Sequence, residues 1–346
     1  IDVIEDEWEE SIDRTPDIKR ECALSAKEIV DKIAEMGIVG MGGATFPTHV
    51  KLSPPPGQKA TVLIINAVEC EPYLTSDDAL MREHAEEIMV GCSIIMKAIG
   101  VTETKIGIEV NKPEAISIME KAAASFSGIE IVPLKKRYPQ GGEKQLIDAV
   151  IRRQVASGAL PISTGAVVQN VGTVYAVYEA VQKNKPLLER VVTVTGKMLQ
   201  KPSNLLVRIG TPMIDLINHA GGMPEDTGKV IGGGPMMGRA LVNTEVPVAK
   251  GSSGLLLLNR KESTRRPMRD CIRCGKCVSV CPMGLNPAFI MRDTVAKNWD
   301  NCEKMNVADC IECGSCSFTC PADRPLLDHI RIGKQTVMGI MRSRKQ

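Results

Sequence analysis

At 346 residues, 43% hydrophobic and 24% charged, the chain has room for a substantial core in two or three domains and the composition of an ordinary globular protein. A net charge of +2 gives no reason to expect nucleic acid as a partner, and no apolar run approaches the roughly 20 residues a membrane-spanning helix needs. The charge is unevenly placed. Residues 1–17 hold Asp2, Glu5, Asp6, Glu7, Glu9, Glu10, Asp13 and Asp17 against Arg14 alone, whereas 260–269 holds Arg260, Lys261, Arg265, Arg266 and Arg269 against Glu262. The chain opens on Ile1 rather than Met and reads as part of a longer protein.

Ser25-Ala-Lys-Glu28 is a capping box, and Ile29, Ile33 and Met36 recur at helical spacing up to Gly37. A glycine-rich loop follows, Gly40-Met-Gly42-Gly43-Ala-Thr-Phe46-Pro47. It lacks the G-x-G-x-x-G dinucleotide pattern, and on its residues alone it is either a binding loop or a tight turn. An apolar strand (62–68), a helix (about 78–99, closed by Gly100), a strand (104–110), a helix opened by Pro113 and a strand (129–134) then alternate. That alternation predicts a parallel sheet covered by helices. A loop around Gly141, another helix, a strand at 166–171 and a helix to about 183 complete this α/β domain.

From Pro186 the elements become short and Gly/Pro-bounded: strands at 191–196, 205–209, 230–231 and 255–258, and a helix at 213–220. This suits a small β-grasp domain, with Gly232-Gly-Gly234-Pro235 as a turn. The expected division is an N-terminal segment (1–24, the remnant of a missing domain), an α/β domain (25–185), a β-grasp domain (186–258) and a mainly helical domain (259–346) with a helical segment at 287–301.

The last domain carries the strongest signal. Cys271-Ile-Arg-Cys274-Gly-Lys-Cys277-Val-Ser-Val-Cys281-Pro282 and Cys310-Ile-Glu-Cys313-Gly-Ser-Cys316-Ser-Phe-Thr-Cys320-Pro321 both read C-x2-C-x2-C-x3-C-P. This is the spacing of bacterial two-cluster ferredoxins, in which the fourth cysteine of each run ligates the other cluster. It assigns Cys271, Cys274, Cys277 and Cys320 to one [4Fe–4S] centre, and Cys310, Cys313, Cys316 and Cys281 to the other. Zinc sites use paired C-x2-C halves with a longer gap, and disulfides do not suit a chain that otherwise looks cytosolic. Cys302 falls outside the spacing, Cys22 and Cys92 read as core thiols, and Cys70 reads as a small buried thiol whose pKa the neighbouring acids raise. His49, His84, His219 and His329 show no ligand spacing.

The glycine loop resembles the G-x-G-G-A-x-F-P signature of the flavin- and NADH-binding subunit of respiratory complex I. Asn66-Ala-Val-Glu69-Cys70-Glu71-Pro72, Tyr138-Pro-Gln-Gly141-Gly142-Glu143 and Gln169-Asn170-Val171-Gly172-Thr173 resemble its next three segments in order. Combined with a β-grasp domain and two clusters, the whole chain is similar to the C subunit of Rnf-type ion-translocating ferredoxin:NAD oxidoreductases. The resemblance implies that Gly40, Gly42, Gly43, Lys51, Asn66, Glu69, Gly141, Asn170 and Thr173 hold FMN. It implies that Glu71 and Glu143 face NAD(H), with Phe46 stacking on adenine. Val68, Gly142 and Gln169 depart from the family pattern. The implied role is electron transfer between NADH and partner subunits or a ferredoxin-like carrier, at the cytoplasmic face of a membrane complex. Two alternatives share the residues: a soluble cofactor reductase, such as a cobalamin reductase or a proline-reductase-linked donor, and a flavin-free electron-transfer scaffold.

Overall fold

The structure, a computed structural model, describes residues 8–344; Asp2, Glu5, Asp6 and Glu7 lie outside the described residues. The capping box forms as expected: Ser25 accepts from the Glu28 amide and Glu28 accepts from the Ser25 amide, opening α1 (Ala26–Glu35). There follow α2 (Thr48–Lys51), β1 (Val62–Ala67), α3 (Ser76–Glu83), α4 (Ala85–Ile99), β2 (Thr104–Glu109), α5 (Pro113–Ala123), β3 (Ile129–Leu134), α6 (Glu143–Ile151), β4 (Ala166–Asn170) and α7 (Val171–Gln182).

The four strands are all parallel, in the order β3-β2-β1-β4. Alternate residues of β1 serve two cores. Leu63 and Ile65 pack with α1, α4 and α7 through Ile29, Ile88 and Val177, while Val62 and Ile64 pack with α6 through Leu146 and Ile147. A sheet buried on both faces explains why β1 reads as a continuous apolar run. Gly91 lets α4 and α7 approach closely, since a Cβ there would strike the Val174 carbonyl.

One expectation is corrected here. The helix expected over 78–99 is two helices that break at His84, whose φ of −128° and ψ of 35° lie outside the helical region. Its imidazole meets the Glu87 carboxylate at 3.0 Å and packs 4.6 Å from the Tyr175 ring, so tertiary contacts hold the break.

The second unit comprises β5 (Glu189–Thr195), β6 (Ser203–Arg208), α8 (Met213–His219), β7 (Thr227–Gly232), β8 (Arg239–Ala240) and β9 (Gly254–Asn259). Its sheet order is β6-β5-β9-β7-β8, with β5 and β9 parallel and the other pairs antiparallel. This β-grasp sheet packs Val192, Val194, Leu255 and Leu257 against Leu216 and Ile217 of α8. The strand expected last in the domain is last in sequence but central in the sheet.

The third unit is helical: α9 (Arg260–Ser263), α10 (Lys276–Ser279), α11 (Pro287–Val295), α12 (Trp299–Lys304), α13 (Ser315–Phe318) and α14 (Leu326–Ser343). The segment expected as one helix over 287–301 turns at Lys297 (φ 55°), and the Asn298 side chain caps α12 by accepting from the Asn301 amide. Helix α14 closes the expected helical domain, with Leu326, Ile330, Gly333 and Val337 marking its buried face at helical spacing. No helix among the described residues is long and apolar enough to cross a membrane.

Candidate functional site

In an open parallel sheet, ligands bind beyond the carboxyl ends of the strands where the strand order reverses. Here the chain runs outward from β1 through β2 to β3 and returns to β4 on the other side of β1, so the reversal lies between β1 and β4. The last register pair of those strands is Asn66 with Asn170. Sequence-expected site residues gather around it. Asn66 donates to the Gly141 carbonyl at 2.8 Å. Asn170 caps α7 by accepting from the Gly172 amide at 2.9 Å and donates to Asp77 at 2.8 Å.

The glycine loop leans on the same corner. The Met41 amide donates to the Thr173 hydroxyl at 2.9 Å, and Gly40 donates to the Phe46 carbonyl at 2.9 Å. A Cβ built on Gly42 would come 3.0 Å from the Asn170 side chain, whereas one on Gly43 would meet open space. Lys51 pairs with Glu143 at the start of α6 (2.7 Å) and donates to the Val168 carbonyl at 3.2 Å. Phe46 is exposed, leaving its ring free to stack. Two buried polar atoms on segments framing this crevice have no partner: Gln169 Nε2 on β4 and Thr48 Oγ1 on α2. Unsatisfied buried groups, backbone amides on a glycine loop and one lysine form a donor set that suits a phosphorylated, hydrogen-bonding ring system such as FMN.

Two acids of this loop bond to the protein's own backbone. Glu69 (φ 46°) turns its carboxylate back into the protein, accepting from the Asp77 amide at 2.7 Å and the Asp78 amide at 3.1 Å, and pairing with Lys112 at 3.1 Å. Burial, reinforced by Asp77, pushes its pKa up to about 7 against the opposing pull of Lys112. Its carboxylate thus holds the start of α3 and Lys112. Glu71 reaches the second unit: its Oε1 accepts the amides of Met236 (2.7 Å) and Met237 (3.0 Å) in the β7–β8 turn. Among the described residues its Oε2 meets only the Tyr138 hydroxyl, at 3.3 Å, so it is the freer oxygen for a ligand. Cys70 is a largely buried thiol, pushed up to about 11 chiefly by burial, with Glu109 and Glu71 adding to the rise.

The two cysteine runs share one backbone design. Arg273 (φ 55°) and Glu312 (φ 58°) take the left-handed conformation one residue before the second cysteine, and Gly275 (φ 73°) and Gly314 (φ 78°) take it one residue after. The turns deliver Cys277 and Cys316 on the short helices α10 and α13. Cys281, Cys310, Cys313 and Cys316 line one small apolar cavity with Pro282, Leu285 and Ile330. This set mixes three cysteines of the second run with the last of the first. Backbone amides already point at sulfur: Leu285 N to Cys281 Sγ and Glu312 N to Cys310 Sγ, both 3.4 Å. Cys277 lies within electrostatic reach of Cys320, the crossed counterpart, while Cys271 and Cys274 are exposed. Among the described residues no group of three or more His, Cys, Asp or Glu is arranged to hold a single metal ion. Each of the two sets supplies four thiolates, the number a [4Fe–4S] cluster takes.

The cavity-lining site is the inner one, against the α/β unit; the site with the exposed cysteines is outer. Around the inner site Tyr138 donates to the Cys313 carbonyl (2.6 Å), Gln145 donates to Met283 Sδ (3.1 Å), and Ser157 bonds Asp309. From α14, Lys334 donates to the Cys310 carbonyl (2.6 Å) and Arg331 pairs with Glu312 (3.0 Å). Sequence reasoning quoted Tyr138 in a family segment without giving it a role, and missed Arg331, Lys334 and Asp77, whose partners the fold alone brings together.

Residues 33–179 match the Nuo51 FMN-binding domain family model, 191–240 the SLBB domain and 264–321 the 4Fe-4S dicluster domain. The chain is 45% identical over 339 residues to the C subunit of the Na(+)-translocating ferredoxin:NAD(+) oxidoreductase complex of Acetobacterium woodii, spanning 97% of this chain and 76% of that protein. The chain belongs to this C-subunit family. It is also 49% identical over 287 residues to the C subunit of the proton-translocating ferredoxin:NAD(+) oxidoreductase complex of Clostridium ljungdahlii, over 82% of this chain and 62% of the relative. To the C subunit of the ion-translocating oxidoreductase complex of Rhodobacter capsulatus it is 44% identical, over 95% of this chain and 63% of the relative. The fold also resembles a chain of an NAD+-reducing [NiFe]-hydrogenase in the H2-reduced state, with a TM-score of 0.63 and 18% identity over 90% of this chain and 63% of that one. The domain matches give this Rnf-type protein its cofactors, FMN and two [4Fe–4S] clusters.

Proposed function

We propose that this chain exchanges electrons between NAD(H) and partner subunits of a membrane ion-translocating complex, on its cytoplasmic side. The observation that carries the reading is the placement of the inner four-cysteine site against the β3–α6 loop that also walls the crevice. Bound FMN supplies the conversion between a two-electron hydride and single electrons, and the clusters supply one-electron steps.

In this reading the residues divide the work. Gly40, Gly42 and Gly43 present backbone to FMN, with Lys51, Asn66, Gly141, Asn170 and Thr173 as its polar partners. Lys51 compensates phosphate or ring charge, and Glu143 holds that lysine in place. Phe46 and the free oxygen of Glu71 take the nicotinamide nucleotide, where a carboxylate favours an unmodified ribose hydroxyl over a 2′-phosphate. Glu69 positions the α3 terminus behind the pocket. Cys281, Cys310, Cys313 and Cys316 bind the inner cluster, and Cys271, Cys274, Cys277 and Cys320 bind the outer one, which faces the partner.

An anaerobic NADH titration of the reconstituted protein, followed by its visible spectrum, tests this. The expected result is bleaching of a flavin band together with partial bleaching of the broad cluster absorption. Intact cluster absorption with no flavin and no NADH response would leave the flavin-free scaffold instead.

A further inference from the structure

Tyr138 sits where three parts of the molecule meet. Its loop joins β3 to α6, and Gly141 of the same loop accepts from Asn66 in the crevice wall. Its hydroxyl lies 2.6 Å from the Cys313 carbonyl and 3.3 Å from Glu71 Oε2. A phenol has one proton to donate, and the shorter contact, to the Cys313 carbonyl, takes it. Behind Cys313, Gly314 lies so close to the Met236 carbonyl that an added Cβ would fall 2.7 Å from that oxygen. The Met236 and Met237 amides in turn hold Glu71. The first cysteine loop has the same backbone turns, yet Cys271 and Cys274 are exposed, and among the described residues no hydrogen bond from the α/β unit is seen at them. The inner loop is thus tied to the crevice wall by a side chain that is not itself one of the expected cluster ligands.

We propose that Tyr138 is the positioning residue for electron exchange between the crevice and the inner cysteine site. Its hydrogen bond to the Cys313 carbonyl fixes the 310–316 loop, and with it the thiolates, relative to the wall made by Asn66 and Gly141. This rests on the flavin-to-cluster reading above. In each step the reduced flavin loses one electron and the inner cluster gains it, with NADH as the source. The tyrosine gains and loses neither electron nor proton. Electron transfer slows as the gap between donor and acceptor widens, so the placement of this loop bears directly on the rate. The same donor polarises the Cys313–Gly314 peptide, and hydrogen bonding around the sulfurs helps set a cluster's potential.

The test is Tyr138→Phe, which keeps the ring and removes the donor. Holoprotein with wild-type flavin and iron content is mixed with NADH anaerobically, and flavin bleaching is timed against freeze-quenched EPR of the inner cluster. The lag between the two should widen about fivefold or more, the worth of a hydrogen bond of about 1 kcal/mol. In an EPR redox titration the inner cluster's midpoint should fall while the outer cluster's stays. A variant purified with half the iron and only the outer cluster's signal would report the same anchoring. A wild-type lag with unchanged midpoints would overturn the proposal, as would loss of both clusters with a lowered Tm. Wild-type protein whose flavin fails to bleach with NADH would instead refute the underlying reading.

Discussion

Replacing Glu69 by Gln should remove a pH dependence of stability that the wild-type protein carries at near-neutral pH. The Glu69 side chain is only 4% exposed, and its partner Lys112 only 9%. Burial, with Asp77 adding to it, raises the carboxyl from 4.5 to about 7 in the folded chain. A raised folded pKa means that the native state holds this proton more tightly than the unfolded chain does. The resulting stability is fully present below pH 4.5 and is lost as pH rises through 7. The whole effect is about 3 kcal/mol, of which roughly 1 kcal/mol falls between pH 6 and 8. For a unit of this size, that is a Tm change of about 3–5 °C. Thermal unfolding of anaerobic holoprotein at pH 6, 7 and 8 reads it directly, because titrations shared by both proteins cancel in the difference. Wild-type Tm should fall between pH 6 and 8 by that much more than the Tm of Glu69→Gln. Parallel curves, or a wild type that gains on the variant as pH rises, would refute the assignment of a buried, high-pKa carboxyl at this position.

Three further outcomes follow from the geometry. Gly314→Ala places a side chain at φ 78° and against the Met236 carbonyl. It should cost about 1–3 kcal/mol, seen as a lowered Tm and faster proteolysis between the second and third units. Cys310→Ser should lose about half the iron, the share of one of two cubanes, whereas Cys302→Ser should keep all of it, since Cys302 is buried in the helical core. Iron and EPR quantitation separate these two cases. The double reversal Arg266→Glu/Arg269→Glu, on the exposed approach to the outer site, should slow electron exchange with an acidic ferredoxin by roughly tenfold at low salt. The difference should shrink as ionic strength rises; equal rates at low salt would exclude this face from docking.

Much of this protein was determined locally. The cysteine spacing forces two repeats of one turn, with positive φ before the second cysteine and a glycine after it, because only such a curl brings three thiolates onto one face. The alternation of apolar runs and capped helices determined a parallel sheet, since β1 is apolar on both sides and must be covered twice. Local pattern failed where long-range contacts override propensity. Nothing in residues 78–99 announces the break at His84, which Tyr175 helps hold, and the turn at Lys297 similarly divides α11 from α12. Side-chain direction was the larger gap. Glu69 and Glu71 stand two residues apart in one loop, yet one points back to α3 and Lys112 and the other across to Met236 and Met237. Which cysteine site lies inward was likewise a tertiary decision, because the two runs have identical spacing. What separates them is contact with the α/β unit, through the Tyr138 hydroxyl, Gln145 and Ser157. A sequence specifies its turns by rules that act over a few residues, whereas such pairings arise only when segments tens to more than a hundred residues apart are packed together.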